Sequence, residues 1–438
     1  NWELWKGLAP PPYQVGDTPL VTGYGLAATE KGFPGAVFNE TLKRASELAG
    51  AGGGRLVVQP HAGEEWSADG ETCRNILNAV ESGATRLGHG IHALATELPE
   101  DVAERLAKLC NPADPASETG TTKPSLTQLL VEKGVTCEVC ITSNAMIQSS
   151  LQNRYAGVPP LKALLAAGVK CVLGSDDPGM WGLGDGSCLD LEVQSALDMG
   201  CSREQVGELM AHAFEISRAV PAKVASQLAS DARAWPTTGL GISALPKADM
   251  HLHLNGALPV SWLASHAAGL PVPKPRSLDK AKEKWRDLDH FREDYDARSK
   301  IIKNAGLASI PSQVEVVARA AAVRNVRVAE LSVTPWGDHD EFFAWCSVGR
   351  SLALQHHKVH VSFVATGVRC LPRDFPGIGA DRVLDSALKY CACCTTPGPA
   401  NTGPFDSAAL AQPCAPSLPG TEKGNPKKPV LGRIGSSF

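Results

Sequence analysis

Residues 246–259 read PKADMHLHLNGALP, an apolar run in which His251 and His253 alternate. In an extended strand, residues two apart share a face, so both imidazoles point the same way. Two imidazoles on one side suggest a metal site. An ion needs further ligands, however, and the other candidates all lie upstream in this 438-residue chain. The stretch belongs to a larger rhythm of short apolar segments, each followed by a helical pattern. Such segments occur at 19–28 (PLVTGYGLAA), 54–64 (GRLVVQPHAGE), 85–93 (TRLGHGIHA), 135–144 (VTCEVCITSN) and 169–179 (VKCVLGSDDPG). After SDARAWPTTGLGIS the rhythm resumes at 248–257 (ADMHLHLNGA), 326–335 (VRVAELSVTP) and 358–369 (KVHVSFVATGVR). Nearly continuous apolar strands suit a parallel sheet covered on both faces. Eight strand–helix units, five before the linker and three after, predict an α/β fold closed as a TIM (β/α)8 barrel.

Composition narrows the function. A hydrophobic fraction of 43% supports a sizeable core, and a net charge of -4 argues against nucleic acid as a main partner. The 13 cysteines are irregularly spaced, mostly single within apolar stretches, and predict a reducing, cytoplasmic setting rather than a disulfide framework. Cys137 and Cys140 form C-x-x-C, but on a strand they face opposite sides and are read as packing. No apolar run reaches the roughly 18 residues that span a bilayer, so no membrane partner is expected. The opening NWELWKGLAPPPYQ lacks the features of a signal peptide and begins without Met, as a fragment or processed chain would. Residues 1–18 read as a tail, 231–245 as a linker and 393–438 as a low-complexity, disordered tail.

In a parallel barrel the reactive face lies at the C-terminal ends of the strands. His61 and Glu64, His89, Asp176 and Asp177, and His251 and His253 all stand where a strand ends. Three imidazoles and a carboxylate suit zinc, with a position left for water. A bound zinc ion supplies hydroxide near neutral pH, while Glu64, His89 and an aspartate shuttle protons. Spacing alone thus reads as metal-assisted hydrolysis. The bland alternatives are core histidines and, for Asp176–Asp177, a turn or helix cap. His356, His357 and His360 cluster at a strand's start and are read as surface residues.

Taken together, LPKADMHLHLNGALP, HAGE, RLGHG, EVCITSN and LGSDDPG resemble the signature set of the adenosine deaminase family. The resemblance covers 19–230 and 246–392, and it implies one zinc ion held by His251, His253, His61 and Asp176. Glu64 would protonate the purine ring nitrogen at position one, and His89 would orient the attacking water and accept its proton. Asp176 would assist from the metal. Asp177 would bond the ring nitrogen at position seven, Gly256 and Asn255 would lie near the sugar, and the backbone at Ala28 would contact the purine. The family begins with the H-x-H strand. Here strands four to eight (19–230) precede strands one to three (246–392), as in a circular permutation, or as in a gene model joining two neighbouring copies. Exchange between two chains would also complete the barrel, and the oligomeric state is open.

Some positions depart from the family pattern, namely Gly25, Ala28, Thr29, Pro159 and Ser332. Asn255 replaces an aspartate that would repel a phosphate, whereas an amide can donate to one. HLNG and the proline-free CITSN resemble the branch acting on N6-methyl-AMP, while HAGE and GHG resemble adenosine deaminase proper. The expected partner is therefore a purine nucleoside or nucleotide. Adenosine leads, with adenine, N6-methyl-AMP or a catalytically impaired scaffold as alternatives.

Overall fold

Among the described residues, nine strand segments pair entirely in parallel. The structure is a computed structural model and describes residues 18–27, 30, 35–51, 56–110, 124–147, 158–181, 188–277, 284–368 and 380–392. The strands are β1 (Val21–Ala27), β2 (Val57–Val58), β3 (His61–Ala62), β4 (Arg86–His89), β5 (Thr136–Val139), β6 (Lys170–Leu173), β7 (Lys247–His253), β8 (Val326–Val333) and β9 (His360–Val368). They form a five-stranded sheet in the order β2-β1-β9-β8-β7 and a four-stranded sheet in the order β3-β4-β5-β6. Helices follow most strands, and β5, β7 and β8 are buried along almost every residue, as expected for an α/β fold with both sheet faces covered.

The two sheets approach each other at both edges. β2 and β3 are pieces of one extended segment interrupted at Gln59 and Pro60, and a proline has no N–H to give a ladder. At the opposite edge the Asp176 N–H donates to the His251 carbonyl at 2.8 Å, and the His253 N–H to the Asp176 carbonyl at 2.9 Å. The first described strand pairs with the last, Gly23 opposite Val364 and Gly25 opposite Thr366. Side chains reinforce that junction. Thr22 bonds Ser362 at 3.0 Å, and Arg350 donates to the Pro19 carbonyl at 2.8 Å.

Residues 231–245, read as a linker, take up the end of the helix Ala222–Ala234 and two short helical turns, Trp235–Thr238 and Ile242–Ala244. Trp235 is buried there, with the Arg203 guanidinium 3.7 Å above its ring and its indole N–H donated to the Gly241 carbonyl at 3.0 Å. One large apolar anchor seats a segment whose Gly, Ser, Thr and Pro content otherwise resembles a free linker.

A buried ion network crosses between the sheets. Arg86 of β4 pairs with Glu138 of β5 at 2.6 Å and Glu330 of β8 at 2.7 Å, and donates to the Met250 carbonyl of β7 at 2.8 Å. Such groups are tolerated inside a protein only when paired and hydrogen-bonded. Cys137 and Cys140 are buried, as a packing role requires, and every described cysteine is a free thiol. No helix among the described residues is long and apolar enough to cross a membrane. The tail 393–438, residues 1–17 and most of the polar insertion at 111–125 lie outside the described residues.

Candidate active site

The strand ends bring the polar motifs together. β7 ends at His251 and His253, β3 begins at His61, β4 ends at His89, and Asp176 follows β6. Their imidazole centroids lie within 4.7–5.3 Å of one another for His61 with each of the other three. His89 (φ 63°) and Asp176 (φ 61°) both adopt left-handed backbone, which is uncommon for non-glycine residues. Strain of this kind clusters at functional sites, where the surrounding structure holds a side chain in place. Gly174 allows the close approach, because a Cβ there would stand 2.4 Å from that of His251.

The donor set fits a metal ion. His61 donates its Nδ1–H to the Leu26 carbonyl at 2.8 Å, and His251 donates its Nδ1–H to Glu138 at 2.7 Å. Both rings therefore turn Nε2 inward, the nitrogen a ligand would use. His251 Nε2 is buried without a hydrogen bond and lies 3.8 Å from Asp176 Oδ1; His253 Nε2 lies 3.5 Å from the same oxygen and 3.2 Å from His61 Nε2. Two groups of mutually close ligand atoms share His251, one with His61 and His89, the other with Asp176 and His253. The electrostatics favour positive charge here. Burial pushes the Asp176 carboxyl up, but the imidazoles of His251, His89 and His253 outweigh it and bring it down to about 2. At His251 burial opposes a second proton, yet Glu138 and Asp176 raise its basicity above the ordinary imidazole.

Around this cluster lie further titratable groups. His89 Nε2 stands 3.6 Å from Glu64 Oε2 and 3.8 Å from Asp176 Oδ2, and burial lowers its pKa to about 3, keeping it neutral. Burial and the neighbouring Asp176 push Asp177 well above the usual carboxylate range, which favours its protonated form. Its Oδ1 is buried without a hydrogen bond. Adjacent carboxyls are thus pushed in opposite directions, the pattern by which acid and base duties are divided.

His61, Glu64, His89, Asp176, Asp177 and His253 all line one cavity, with His251 behind them. Gly256 is not in the wall but abuts it, since a Cβ there would fall 1.6 Å from Asp177 Oδ1. Asn255 is turned aside, donating to Ser299 at 3.3 Å. Ala28 lies outside the described residues. A roomier hollow of about 830 Å³ lies elsewhere, beside Ser217, Pro221 and Arg233, away from the histidines.

Motif reading did not identify several contributors. Leu288, Phe291, Arg292, Tyr295 and Asp296, on or beside the helix Leu288–Ala305, wall the cavity. Phe291 packs against Trp285 and Trp181 in a separate apolar cluster. Glu30 accepts the backbone N–H groups of Gly63 and Glu64 at 3.0 and 2.9 Å, fixing the loop that carries Glu64. Glu138 orients His251, and although burial opposes its charge, Arg86 and His251 hold its carboxyl below the ordinary range. Glu138→Gln is expected to weaken metal binding about 10–100-fold, the usual cost of losing such an outer partner. Chelator competition with circular dichroism as a fold control would check it, and unchanged affinity would remove Glu138 from the support of the site.

Comparison with known proteins supplies the setting. The adenosine deaminase family model matches residues 16–235. An adenosine deaminase from Shewanella denitrificans is 30% identical over 195 residues, covering 44% of this chain and 45% of that protein. One from an Escherichia coli O139:H28 strain is 30% identical over 215 residues, covering 47% and 51% respectively. The chain spans about half the length of these relatives.

Proposed function

The chain belongs to the adenosine deaminase family, and from that premise we propose that it is a zinc-dependent hydrolase converting adenosine and water to inosine and ammonia. The observation that carries this is the convergence of four imidazoles and Asp176, with Glu64 and Asp177 in the same cavity wall. His61, His251, His253 and Asp176 would hold the ion. When bound, zinc would supply the Lewis acidity that activates water near neutral pH.

The chain's own groups divide the remaining work. Glu64 delivers a proton to the ring nitrogen beside the amine-bearing carbon, which makes that carbon electrophilic. His89, neutral and facing both Glu64 and Asp176, accepts the proton of the attacking water. Asp177, protonated, offers its hydrogen to the lone pair of the other ring nitrogen. Water adds its oxygen to the carbon, His89 passes the proton it accepted to the amine, and the carbon–nitrogen bond breaks to release ammonia, while the hydroxyl proton returns to Glu64 as the oxo purine forms.

The strand order supports a matching architecture. The sequence β7-β8-β9-β1-β2/β3-β4-β5-β6, returning to β7 at the Asp176–Leu252 bridge, reads as one closed (β/α)8 barrel in circularly permuted order. On this reading strands four to eight occupy 19–230 and strands one to three 246–392, with 231–245 joining strand eight to strand one. Free, mostly buried thiols support a cytoplasmic setting.

A second substrate reading has its own observation. Arg292 lines the cavity and could pair with a phosphate, and Asn255, although tied to Ser299, removes the carboxylate that would repel one. Zinc-loaded protein incubated with adenosine, adenine or N6-methyl-AMP tests both. Ammonia from adenosine is expected. Methylamine from N6-methyl-AMP alone would transfer the reaction to the nucleotide, and silence from all three in folded, metal-loaded protein would overturn the enzyme reading. Asn255→Asp is expected to lower any nucleotide turnover relative to nucleoside turnover; an unchanged ratio would remove Asn255 from substrate selection.

A further inference from the structure

We propose that Glu315, His356 and His357 form a second divalent-cation site, separate from the candidate active site and suited to zinc, nickel or copper(II). His356 and His357 are consecutive, and consecutive residues of an α-helix point about 100° apart. Here the chain leaves the helix His339–Leu352 through a wider π-turn, Ala353–His357, closed by Lys358 in left-handed backbone (φ 59°). Single π-turns recur at functional positions. This one brings both rings to Glu315 on the neighbouring helix Ile310–Val323.

Glu315 Oε1 lies 2.8 Å from His356 Nδ1 and 3.7 Å from His357 Nε2, and all three ligand atoms fall within 4.8 Å of one another. Two ligands at about 2.0–2.2 Å from one ion stand no more than about 4.4 Å apart, so small side-chain movements complete the triad. A hydrogen bond from His356 Nδ1–H to Glu315 accounts for the shorter contact. It leaves His357 Nε2 shielded from water, aimed at the same oxygen and without a hydrogen bond. One cation satisfies all three groups.

The chemistry of the donors selects the ion. Two imidazoles and one carboxylate favour the later first-row metals over magnesium or calcium, which prefer all-oxygen shells. The remaining positions fall to water, since His356 is 45% exposed at its side chain. β9 runs from beside this cluster to Val368 in the active-site wall, and its nine residues at about 3.3 Å each put the two sites roughly 25–30 Å apart. An ion here would pin the helix Ile310–Val323 to the turn before β9. It would act independently of the deaminase reading.

The test is nickel binding to chelator-stripped full-length protein, followed by calorimetry and metal analysis after desalting. Wild type is expected to take up one more equivalent of nickel than H356A/H357A, with the same circular dichroism. Glu315→Gln, which keeps both imidazoles, is expected to weaken that extra equivalent about 10-fold or more. Copper(II) at the extra site should show imidazole nitrogen couplings in its paramagnetic resonance spectrum, absent from the double variant. Equal stoichiometry and affinity in wild type and H356A/H357A would overturn the proposal, whatever the deaminase assay shows.

Discussion

Asp176→Ala is expected to release the active-site metal and abolish measurable turnover. Asp176 presents Oδ1 to His251 and His253 and Oδ2 to His89, and those imidazoles hold it ionised. It supplies a negative charge to a set of otherwise neutral donors. Losing only an outer partner of a ligand commonly costs about 10–100-fold in metal affinity, so losing the carboxylate itself should cost more than about 100-fold. The backbone complicates the alanine variant. Asp176 has φ 61°, a conformation that asparagine and aspartate tolerate better than alanine. Its N–H and carbonyl also hold β7 through His251 and His253. Asp176→Asn keeps size and backbone preference while removing charge. Metal analysis after dialysis should therefore find both variants depleted, with asparagine retaining the wild-type melting behaviour better. Full metal retention in Asp176→Asn would exclude the carboxylate as a needed ligand.

The strand-end motifs were legible because catalytic groups on a parallel sheet collect where strands give way to loops. His61, Glu64, His89, Asp176 and His253 could each be placed from an apolar run that stops at a polar residue, and the structure gathers them around one cavity. What supports them was harder to see. Arg86, Glu138 and Glu330 sit within buried strands, and their signal was present as charges of both signs inside apolar runs. Their partners lie far apart in sequence, so the pairing depends on the sheet order rather than on spacing. The helix Leu288–Ala305 offered no such cue. Its amphipathic pattern announces a helix, but only packing against Trp181 and Trp285 turns Phe291 toward the cavity. Asn255 shows a third limit. Its position in HLNG was clear from the motif, while its tie to Ser299 depends on the neighbouring helix. Similarly, adjacent histidines at 356 and 357 read as surface residues until a π-turn brings them to one carboxylate.

Glu64→Gln is expected to separate chemistry from metal binding. Glu64 lies in the cavity wall, with its Oε2 3.6 Å from His89 Nε2 and its backbone N–H held by Glu30. It belongs to neither of the close ligand groups that contain His251. Glutamine preserves the side chain's length and leaves the backbone anchor to Glu30 intact, but its amide cannot deliver and recover a proton as a carboxyl does. Loss of a positioned acid–base group typically costs about 10²–10⁴-fold in rate, so kcat should fall by that factor. Metal content should remain at the wild-type level, the reverse of the Asp176 result. Parallel metal analysis distinguishes a chemical defect from a collapsed site, because depletion in both variants would mean that Glu64 also supports the ligand cage. Near-wild-type turnover by metal-loaded Glu64→Gln would eliminate Glu64 as the proton donor. His89 and Asp177 would then be the remaining acid–base candidates in the cavity wall.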